Sequence, residues 1–386
     1  MQSIVLWLSY ILIFTIPWEN AISFIGFGTF TRVIGFALLG VWLFVVLMKG
    51  KLRKPAPFHL VLFLFILFNI FSILWTDNVA ETKQRIITYL QLFTFALILW
   101  DLYSIPRIFF TGLQAYVLGA YITIGSTIIN YLNGKIISSY ELGRYAGASL
   151  NANDLALILT LGMPVAWHLA VSSTEFRTMR ILKFINYAYI PAALFAIILT
   201  SSRTSLFALI PVFIYIFATM GRIKTGLRLI LVVGFISSIF LIQNYIPLAT
   251  IERLTTIGTS IANLDLGGRV VIWSRALELF FEYPIIGVGA GASRSIIGVV
   301  PHNTILSVLV ELGIIGCMFF ILILANVLYH AIYQRKIYSY LWITIFFIWL
   351  IGTSTLTWEF YKPTWLFMSF IIISARLFSR NANGYT

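Results

Sequence analysis

Thr304–Tyr329 reads TILSVLVELGIIGCMFFILILANVLY, and this run decides the class of fold to which the chain belongs. It contains one charged side chain, that of Glu311. A helix needs about 20 predominantly apolar residues to cross roughly 30 Å of hydrocarbon. The run meets that length, so it predicts a membrane-spanning helix that carries a single carboxyl group.

The composition extends this prediction to the whole chain. Its 386 residues are 60% hydrophobic and 10% charged, and the mean hydropathy is +0.96. A soluble domain carries about 25% charged residues, and a bilayer core solvates charge poorly. We predict an all-α polytopic membrane protein, a single integral membrane domain over residues 1–386 with about 12 transmembrane helices. The apolar runs are approximately Val5–Trp18, Val33–Met48, Phe58–Trp75, Ile86–Trp100, Ile108–Tyr131, Leu155–Val171, Phe184–Thr200, Leu206–Met220, Leu229–Ile242, Thr304–Tyr329, Leu341–Thr357 and Trp365–Leu377.

The charges between these runs predict the orientation in the membrane. Connectors on one side hold 15 Lys and Arg against 2 acidic residues, and those on the other side hold 11 of each. The first side alone therefore accounts for the net charge of +13. Cytoplasmic connectors carry an excess of Lys and Arg, so both termini are predicted to be cytoplasmic. The basic excess is then an orientation signal, and no nucleic-acid partner is expected.

The longest outer connector, residues 244–302, is predicted to be a large extracytoplasmic loop carrying amphipathic helices. Within it, Val270–Phe281 has apolar residues at helical spacing with charged residues between them. Asp265-Leu-Gly-Gly predicts a cap or turn before this helix. Such a helix is suited to the membrane surface. A connector of this length is usually functional or disordered, and this one is too apolar for plain disorder.

Rare polar residues point to a site on the outer side. His302 is the only histidine predicted there, whereas His59, His168 and His330 lie near cytoplasmic helix ends and are expected to be solvated or interfacial. Arg203 lies between two apolar runs with no room for a loop, so it either faces a watery cavity or extends to the outer headgroups. Together with Arg269 or Arg275 it would form a cationic clamp for phosphate, beside a neutral histidine suited to general-base catalysis.

Other kinds of site fit the sequence less well. The glycine-rich run Gly287–Ser293 resembles a phosphate-binding loop but lacks the Lys that such loops carry, so a flexible turn is the better interpretation. The outer side offers one histidine, no cysteine and scattered carboxylates, which disfavours a metal site. Cys317 lies in an apolar run and is expected to be a packing residue. No cofactor is expected.

Several motifs resemble one family. TSSRTSLFAL, GGRVVIWSRALELFFEYPIIGVGAGA and PHNTILSVLVELGIIG follow one another in the order found in the O-antigen ligase and polymerase superfamily of bacterial membrane glycosyltransferases. Arg144–Leu157, RYAGASLNANDLAL, is a weaker match, because Ala152 stands where the family often has proline. These motifs cover about a third of the chain.

The resemblance implies a GT-C-like fold and a metal-independent, inverting transfer on the outer face of the bacterial inner membrane. The donor would be a glycan on undecaprenyl diphosphate, in contact with membrane lipids. The family's histidine corresponds to His302, which would deprotonate the acceptor hydroxyl. Its arginines correspond to Arg203 and Arg269, which would hold the diphosphate. The further candidates for substrate binding are Arg275, Arg144, Asn303, Glu311 and Glu359, although Asn303 and Glu311 fit a helix cap and a contact inside the bundle equally well.

Two activities in this superfamily differ in their acceptor. A polymerase adds the glycan to another lipid-linked repeat unit, and a ligase transfers it to lipid A-core. The compact span between Arg269 and His302 favours the polymerase, and the ligase is the alternative. A secondary transporter or channel is a further alternative, but it predicts polar residues at mid-membrane and repeat symmetry that the sequence does not show.

Overall fold

The structure is a computed structural model, and it describes residues 2–26, 28–136, 143–171, 180–243, 245–255 and 268–379. Almost all regular structure in these residues is helical, apart from a two-stranded antiparallel hairpin of β1 (Ser23–Phe24) and β2 (Gly28–Thr29). The α-helices are α1 (Gln2–Thr15), α2 (Phe30–Lys49), α3 (Pro57–Phe71), α4 (Val79–Leu102), α5 (Pro106–Leu132), α6 (Ala152–Val171), α7 (Arg180–Leu199), α8 (Arg203–Thr219), α9 (Thr225–Gln243), α10 (Leu248–Thr255), α11 (Arg269–Glu282), α12 (Ser293–Ile297), α13 (Thr304–Ile332), α14 (Lys336–Thr353) and α15 (Lys362–Leu377).

The prediction of an all-α polytopic membrane protein is confirmed. Within the described ranges, ten helices are long and apolar enough to span a membrane, and they cover ten of the twelve apolar runs. The other two runs also lie in helices, α9 and α15, although α15 has only 16 residues and the apolar part of α9 is short. The count of twelve and the cytoplasmic location of both termini stay predictions.

The chain divides into two compact units, which are described separately. The first unit comprises residues 1–41, 105–257 and 344–351, and the second comprises residues 42–104, 258–343 and 352–386. In the first unit, α6 is buried along almost its whole length, packed against α5, α7 and α8. A helix that is apolar all round is suited to this central position. Gln114 and Asn186 exchange two amide hydrogen bonds of 3.0 and 2.9 Å, so neither side chain leaves a buried amide unpaired.

The histidines near the predicted cytoplasmic helix ends are not all solvated. His168 is buried on α6, where its Nδ1 lies 2.9 Å from the hydroxyl of Tyr215. His59 is buried at the start of α3, where its Nδ1 accepts a hydrogen bond from the backbone N–H of Ala56 at 3.1 Å. The prediction of a solvated or interfacial position is therefore wrong for these two, because neighbouring helices cover the helix ends. His330 is half-buried and contacts its own helix backbone.

The second unit is built around α13. This helix packs on α3, α11 and α15, and α4 packs in turn on α3 and α15. Cys317 on α13 is a free, buried thiol, as expected for a packing residue. The helix is not continuous, because Gly313 has φ 62° and ψ −166°. The backbone N–H and C=O groups released at this break need other partners, and the segment before α13 supplies them.

Candidate active site

The structure contains the predicted amphipathic helix, and its location on the outer side stays a prediction. α11 spans Arg269–Glu282, within a residue of the predicted run at each end, and Gly268 before it has the left-handed φ of 75°. The rest of the predicted cap, Asp265–Gly267, lies outside the described residues. The inner face of α11 buries Ala276 and Leu279 in a cluster with Val288, Ala292 and Val310. Arg275, on the same helix, is exposed.

The segment after α11 forms a turn that pairs with the break in α13. In this glycine turn (Pro284–Gly291), the backbone N–H groups of Val288 and Gly289 donate to the carbonyls of Val310 and Glu311 at 3.1 and 2.9 Å. In the other direction, Ile314 and Ile315 donate to Pro284 and Ile285. A Cβ on Gly287 would lie 2.5 Å from the Glu311 backbone, so the motif needs glycine for close approach rather than for flexibility.

His302 lies between this turn and α13 in a constrained backbone. It has φ 50°, a left-handed conformation that is unusual for a residue other than glycine. On one side, Trp273 of α11 donates its indole N–H to the carbonyl of Pro301 at 2.9 Å. On the other, the Asn303 side chain accepts from the N–H of Leu306 at 3.0 Å and caps α13. The residues flanking His302 are thus fixed from both sides.

The surroundings of His302 favour its neutral form. Burial lowers the pKa of the imidazole below its usual 6.5, and the positive charge of Arg269 lowers it further. Arg269 begins α11, so the same helix that fixes Pro301 also brings a guanidinium close to the histidine. No described residue forms a hydrogen bond with the imidazole. A neutral imidazole beside a fixed cation is able to accept a proton near an anionic ligand.

The first turns of α13 present polar side chains to a buried carboxylate pair. Ser307 and Glu311 are four residues apart and share one face of the helix. The Ser307 hydroxyl donates to Glu359 Oε1 at 3.1 Å, and Glu311 accepts from the N–H of Gly291 and the hydroxyl of Ser293, both at 2.7 Å. Glu311 is 4% exposed and Glu359 is fully buried.

Arg85 joins the two carboxylates, and the sequence analysis gave it no role. Its guanidinium lies 3.1 Å from Glu359 Oε1 and 3.9 Å from Glu311 Oε1, and its side chain is 12% exposed. It also stacks on the ring of Phe360 at 3.7 Å. The predicted apolar run began at Ile86, which placed Arg85 in a connector. Because α4 begins at Val79, Arg85 lies within the helix, where the argument applied to Arg203 would have found it.

Arg203 and Arg144 belong to the first unit. Arg203 begins α8 and is half-buried, as the predicted Ser-Arg helix start requires. Arg144 is buried, donating to the carbonyl of Thr200 at 3.1 Å and to the Asn153 side chain at 3.0 Å. The hydroxyl of Ser201, which has φ 51°, donates to the carbonyl of Gly143 at 2.7 Å. These bonds hold the turn that leads into Arg203.

A comparison with family models decides the classification. Residues 188–321, from α7 to the middle of α13, match the model described as O-antigen ligase. In this region the chain is similar to the O-antigen ligase and polymerase superfamily. The resemblance seen in the motifs is thereby confirmed, and the chain is a multi-pass membrane protein of a glycosyltransferase type. A comparison with curated proteins found no match.

The O-antigen ligase region contains most of the predicted site residues, which are Arg203, Arg269, Arg275, His302, Asn303 and Glu311. Arg85, Arg144 and Glu359 lie outside it. The structure brings His302 and Arg269 together in the second unit, and it joins Glu311 to Glu359 through Arg85. The helix cap and the internal contact considered for Asn303 and Glu311 are both present. Whether any of these residues binds substrate stays a prediction.

Side chains able to ligate a metal do not cluster in the described part of the chain. No group of three or more His, Cys, Asp or Glu side chains there is arranged to hold a metal ion. The carboxylates of Glu311 and Glu359 both face the guanidinium of Arg85.

Proposed function

We propose that this protein is an inverting, metal-independent glycosyltransferase that acts on the outer face of the bacterial inner membrane. Its donor is a glycan on undecaprenyl diphosphate, and its acceptor is a sugar hydroxyl. The observation that supports this best is the pair formed by His302 and Arg269. A half-buried imidazole kept neutral beside a guanidinium offers a base for the hydroxyl and a cation for the diphosphate.

In the proposed reaction, His302 takes the proton from the acceptor hydroxyl. The hydroxyl oxygen forms a bond to the anomeric carbon from the face opposite the diphosphate, and the bond between that carbon and the diphosphate oxygen breaks. Undecaprenyl diphosphate leaves with the electron pair, and the imidazolium returns its proton to solvent. Attack from the opposite face inverts the configuration at the anomeric carbon.

The arginines stabilise the charge that develops on the leaving group. Arg203 and Arg269 are proposed to bind the diphosphate, because planar guanidinium groups donate paired hydrogen bonds to phosphate oxygens. Arg275 is exposed on α11, where it is free to contact the sugar or headgroup region of the donor. Arg144 is proposed to hold the turn that leads into Arg203, and thereby to position the Arg203 guanidinium for the diphosphate.

For the acceptor, we propose another lipid-linked repeat unit, which makes the protein a polysaccharide polymerase. The short connection from α11 to His302, made by the glycine turn and α12 alone, supports this choice. Ligation to lipid A-core is the second candidate, and the description of the matched family favours it. Both candidates use the same donor, base and arginines.

The catalytic roles are tested with purified variants. His302→Ala and Arg203→Ala should each lower the consumption of an undecaprenyl-diphosphate glycan by at least about 100-fold, the usual contribution of a positioned base or charge. His330→Ala is the matched control, because that imidazole bonds only to its own helix backbone among the described contacts. All three proteins should elute as folded monodisperse species, and chelation with EDTA should leave the wild-type rate unchanged.

The acceptor is tested in two parallel reactions, one with lipid A-core and one without it. A ladder of lengthening glycans without core supports the polymerase, and product formed only with core supports the ligase. Full activity of His302→Ala would remove this histidine from the mechanism. Loss of wild-type activity on chelation would contradict the metal-independent reaction.

A further inference from the structure

Arg85, Glu311 and Glu359, here named the Arg85 cluster, connect four segments of the second unit. Arg85 comes from α4, Glu311 from α13, and Glu359 from the connector between α14 and α15. The glycine turn joins through the N–H of Gly291, which donates to Glu311 Oε2. All three members are buried or nearly so, and buried charges of this kind are retained only where partners satisfy them.

The two carboxylates differ in their hydrogen bonding. Glu311 accepts one strong hydrogen bond on each oxygen, from Gly291 N–H and from the Ser293 hydroxyl, both at 2.7 Å. Glu359 receives Arg85 and Ser307 on Oε1, whereas its Oε2 is buried and has no partner within the described residues. One guanidinium faces two carboxyl groups, so the cluster is neutral only when one of them holds a proton. The unpartnered Oε2 of Glu359 is where that proton fits.

The cluster reaches His302 through the first turn of α13. Ser307, which donates its hydroxyl to Glu359, also donates its backbone N–H to the carbonyl of Asn303 at 2.8 Å. Thr304 accepts from the N–H of Trp358 at 2.8 Å and donates to the carbonyl of Leu356 at 2.8 Å. The connector that carries Glu359 thus clamps the two residues that follow His302.

We propose that Arg85 is a positioning residue for His302: by holding Glu311 and Glu359 together, it fixes the start of α13 and the glycine turn, and so the imidazole between them. This inference rests on the proposed catalytic role of His302. Arg85 itself contacts neither substrate nor His302 in this account. Glu311 and Glu359 then serve the geometry of the site rather than binding the glycan.

Within the cluster, the geometry favours Glu359 as the carboxyl group that holds the shared proton, because its Oε2 accepts no hydrogen bond from the described residues whereas both oxygens of Glu311 do. The pKa of Glu359 is raised to about 7: burial is the largest cause, the charge of Arg85 opposes the rise, and the charge of Glu311 adds to it. The titratable and charged groups facing Glu359 are Arg85 and Tyr89 of α4 and Glu311 of α13. Glutamine has the shape of a protonated Glu359, whereas at position 311 it would replace an oxygen that accepts a hydrogen bond.

The first test measures kcat and KM for the lipid-linked donor in four variants. Arg85→Gln and Glu311→Gln should lower kcat by about 10- to 100-fold, the range for a misplaced catalytic group, and leave KM within about threefold. Glu359→Gln should keep several-fold more activity than Glu311→Gln. Lys83→Gln, which removes an exposed cation from the same helix, is the matched control and should equal wild type.

The double variant Arg85→Gln/Glu311→Gln removes both charges and should recover several-fold activity over Arg85→Gln alone. Recovery is expected because a lone buried carboxylate no longer has to be accommodated. A purely local packing role predicts additive losses instead. Equal kcat for Arg85→Gln and wild type, or a change confined to KM, would overturn the proposal.

A second measurement does not depend on glycosyl transfer. In a Cys317→Ser background, His302→Cys is labelled with a soluble maleimide, with and without Arg85→Gln. The labelling rate should change by at least about threefold when Arg85 is removed, because the exposure of position 302 follows the position of the α13 start. An unchanged rate would contradict positioning by Arg85. A wild-type protein without transferase activity would instead contradict the proposed function, and the two failures are thereby distinguished.

Discussion

His302 combines a strained backbone with a neutral side chain. A residue other than glycine at φ 50° costs about 1–3 kcal/mol and persists only where its surroundings determine it. The surroundings here are Trp273, which holds Pro301, and Asn303, which caps α13. Such strain at a site of chemistry is typical of a side chain whose direction matters.

The lowered pKa of His302 predicts the pH dependence of the reaction. Because the neutral form is the proposed base, kcat/KM should fall only when the pH drops below the usual histidine value of about 6.5. Arg269→Gln removes a positive charge that disfavours the imidazolium. The fall in kcat/KM at acidic pH should therefore begin at a higher pH in this variant than in wild type. The check is the pH dependence of kcat/KM, with the rate of His302 modification by diethyl pyrocarbonate as an independent titration.

The controls for this titration use a cation on the same helix. Arg275→Gln changes an exposed residue one turn and a half away on α11, and should leave the His302 titration in place. A fall in kcat/KM that begins at lower pH in Arg269→Gln than in wild type would have the wrong sign for a charge effect. That result would mean that Arg269 acts on His302 by some route other than its charge.

At the scale of single residues, the sequence predicts the site candidates that are rare polar groups in an apolar chain. Arg203, Arg269 and His302 are polar groups in an apolar chain, and their rarity together with the motif resemblance makes them candidates. Arg85 escapes the same argument, because the predicted apolar run begins at Ile86 whereas α4 begins at Val79. The pairing of Glu311 with Glu359 is not predictable either, since it depends on long-range packing between α13 and the connector before α15.

At the scale of elements, α13 and the glycine turn are joined by backbone hydrogen bonds. The break at Gly313 frees backbone groups that water cannot satisfy inside a membrane protein, where each unpaired group costs several kcal/mol. The glycine turn supplies two donors and two acceptors to the broken helix. The Pro-Ile-Ile-Gly-Val-Gly and Glu-Leu-Gly motifs are therefore complementary backbone surfaces.

Substitution of Gly313 tests the contribution of the pairing between α13 and the glycine turn to stability. Its φ 62° and ψ −166° are accessible essentially to glycine alone, and a Cβ there would collide with the carbonyl of Ile285. Gly313→Ala should cost at least about 2 kcal/mol. The measurement is the apparent Tm of the purified protein in detergent, which should fall by several degrees.

Gly125→Ala is the control for that substitution. Gly125 lies inside α5 with open space around the position of a Cβ, so alanine should be tolerated or slightly stabilising. Equal Tm values for the two variants would contradict the pairing of the glycine turn with α13. A loss of activity in Gly313→Ala that exceeds its loss of folded protein would further link this pairing to His302.

Element bounds follow from the sequence better than turn structure does. The apolar periodicity of Val270–Phe281 predicts α11 almost to the residue. The glycine-rich sequence of Gly287–Ser293 predicts a flexible turn, whereas the structure shows this segment buried and paired with α13. Composition does not distinguish a glycine kept for mobility from one kept for close approach, because that difference lies in the partner segment.

At the scale of the whole molecule, the charge bias predicts which ends of the helices face the cytoplasm. The two sides differ by the entire net charge of +13, and a basic excess on one side orients a membrane protein. α13 offers the sharpest test of this orientation, because exposed basic residues flank it on both predicted sides. Arg294 precedes it in α12, and Lys336 follows it at the start of α14.

Cysteine labelling across α13 tests the orientation directly. In a Cys317→Ser background, which removes the single native thiol, Arg294→Cys and Lys336→Cys are exposed to a membrane-impermeant maleimide in sealed vesicles. Right-side-out vesicles should label position 294 and protect position 336, and inside-out vesicles should show the reverse. Labelling of both positions from one side would mean that α13 does not cross the bilayer. The opposite pattern would place His302 on the cytoplasmic side and the basic excess on the outer side. That result would contradict the charge bias from which the orientation is predicted.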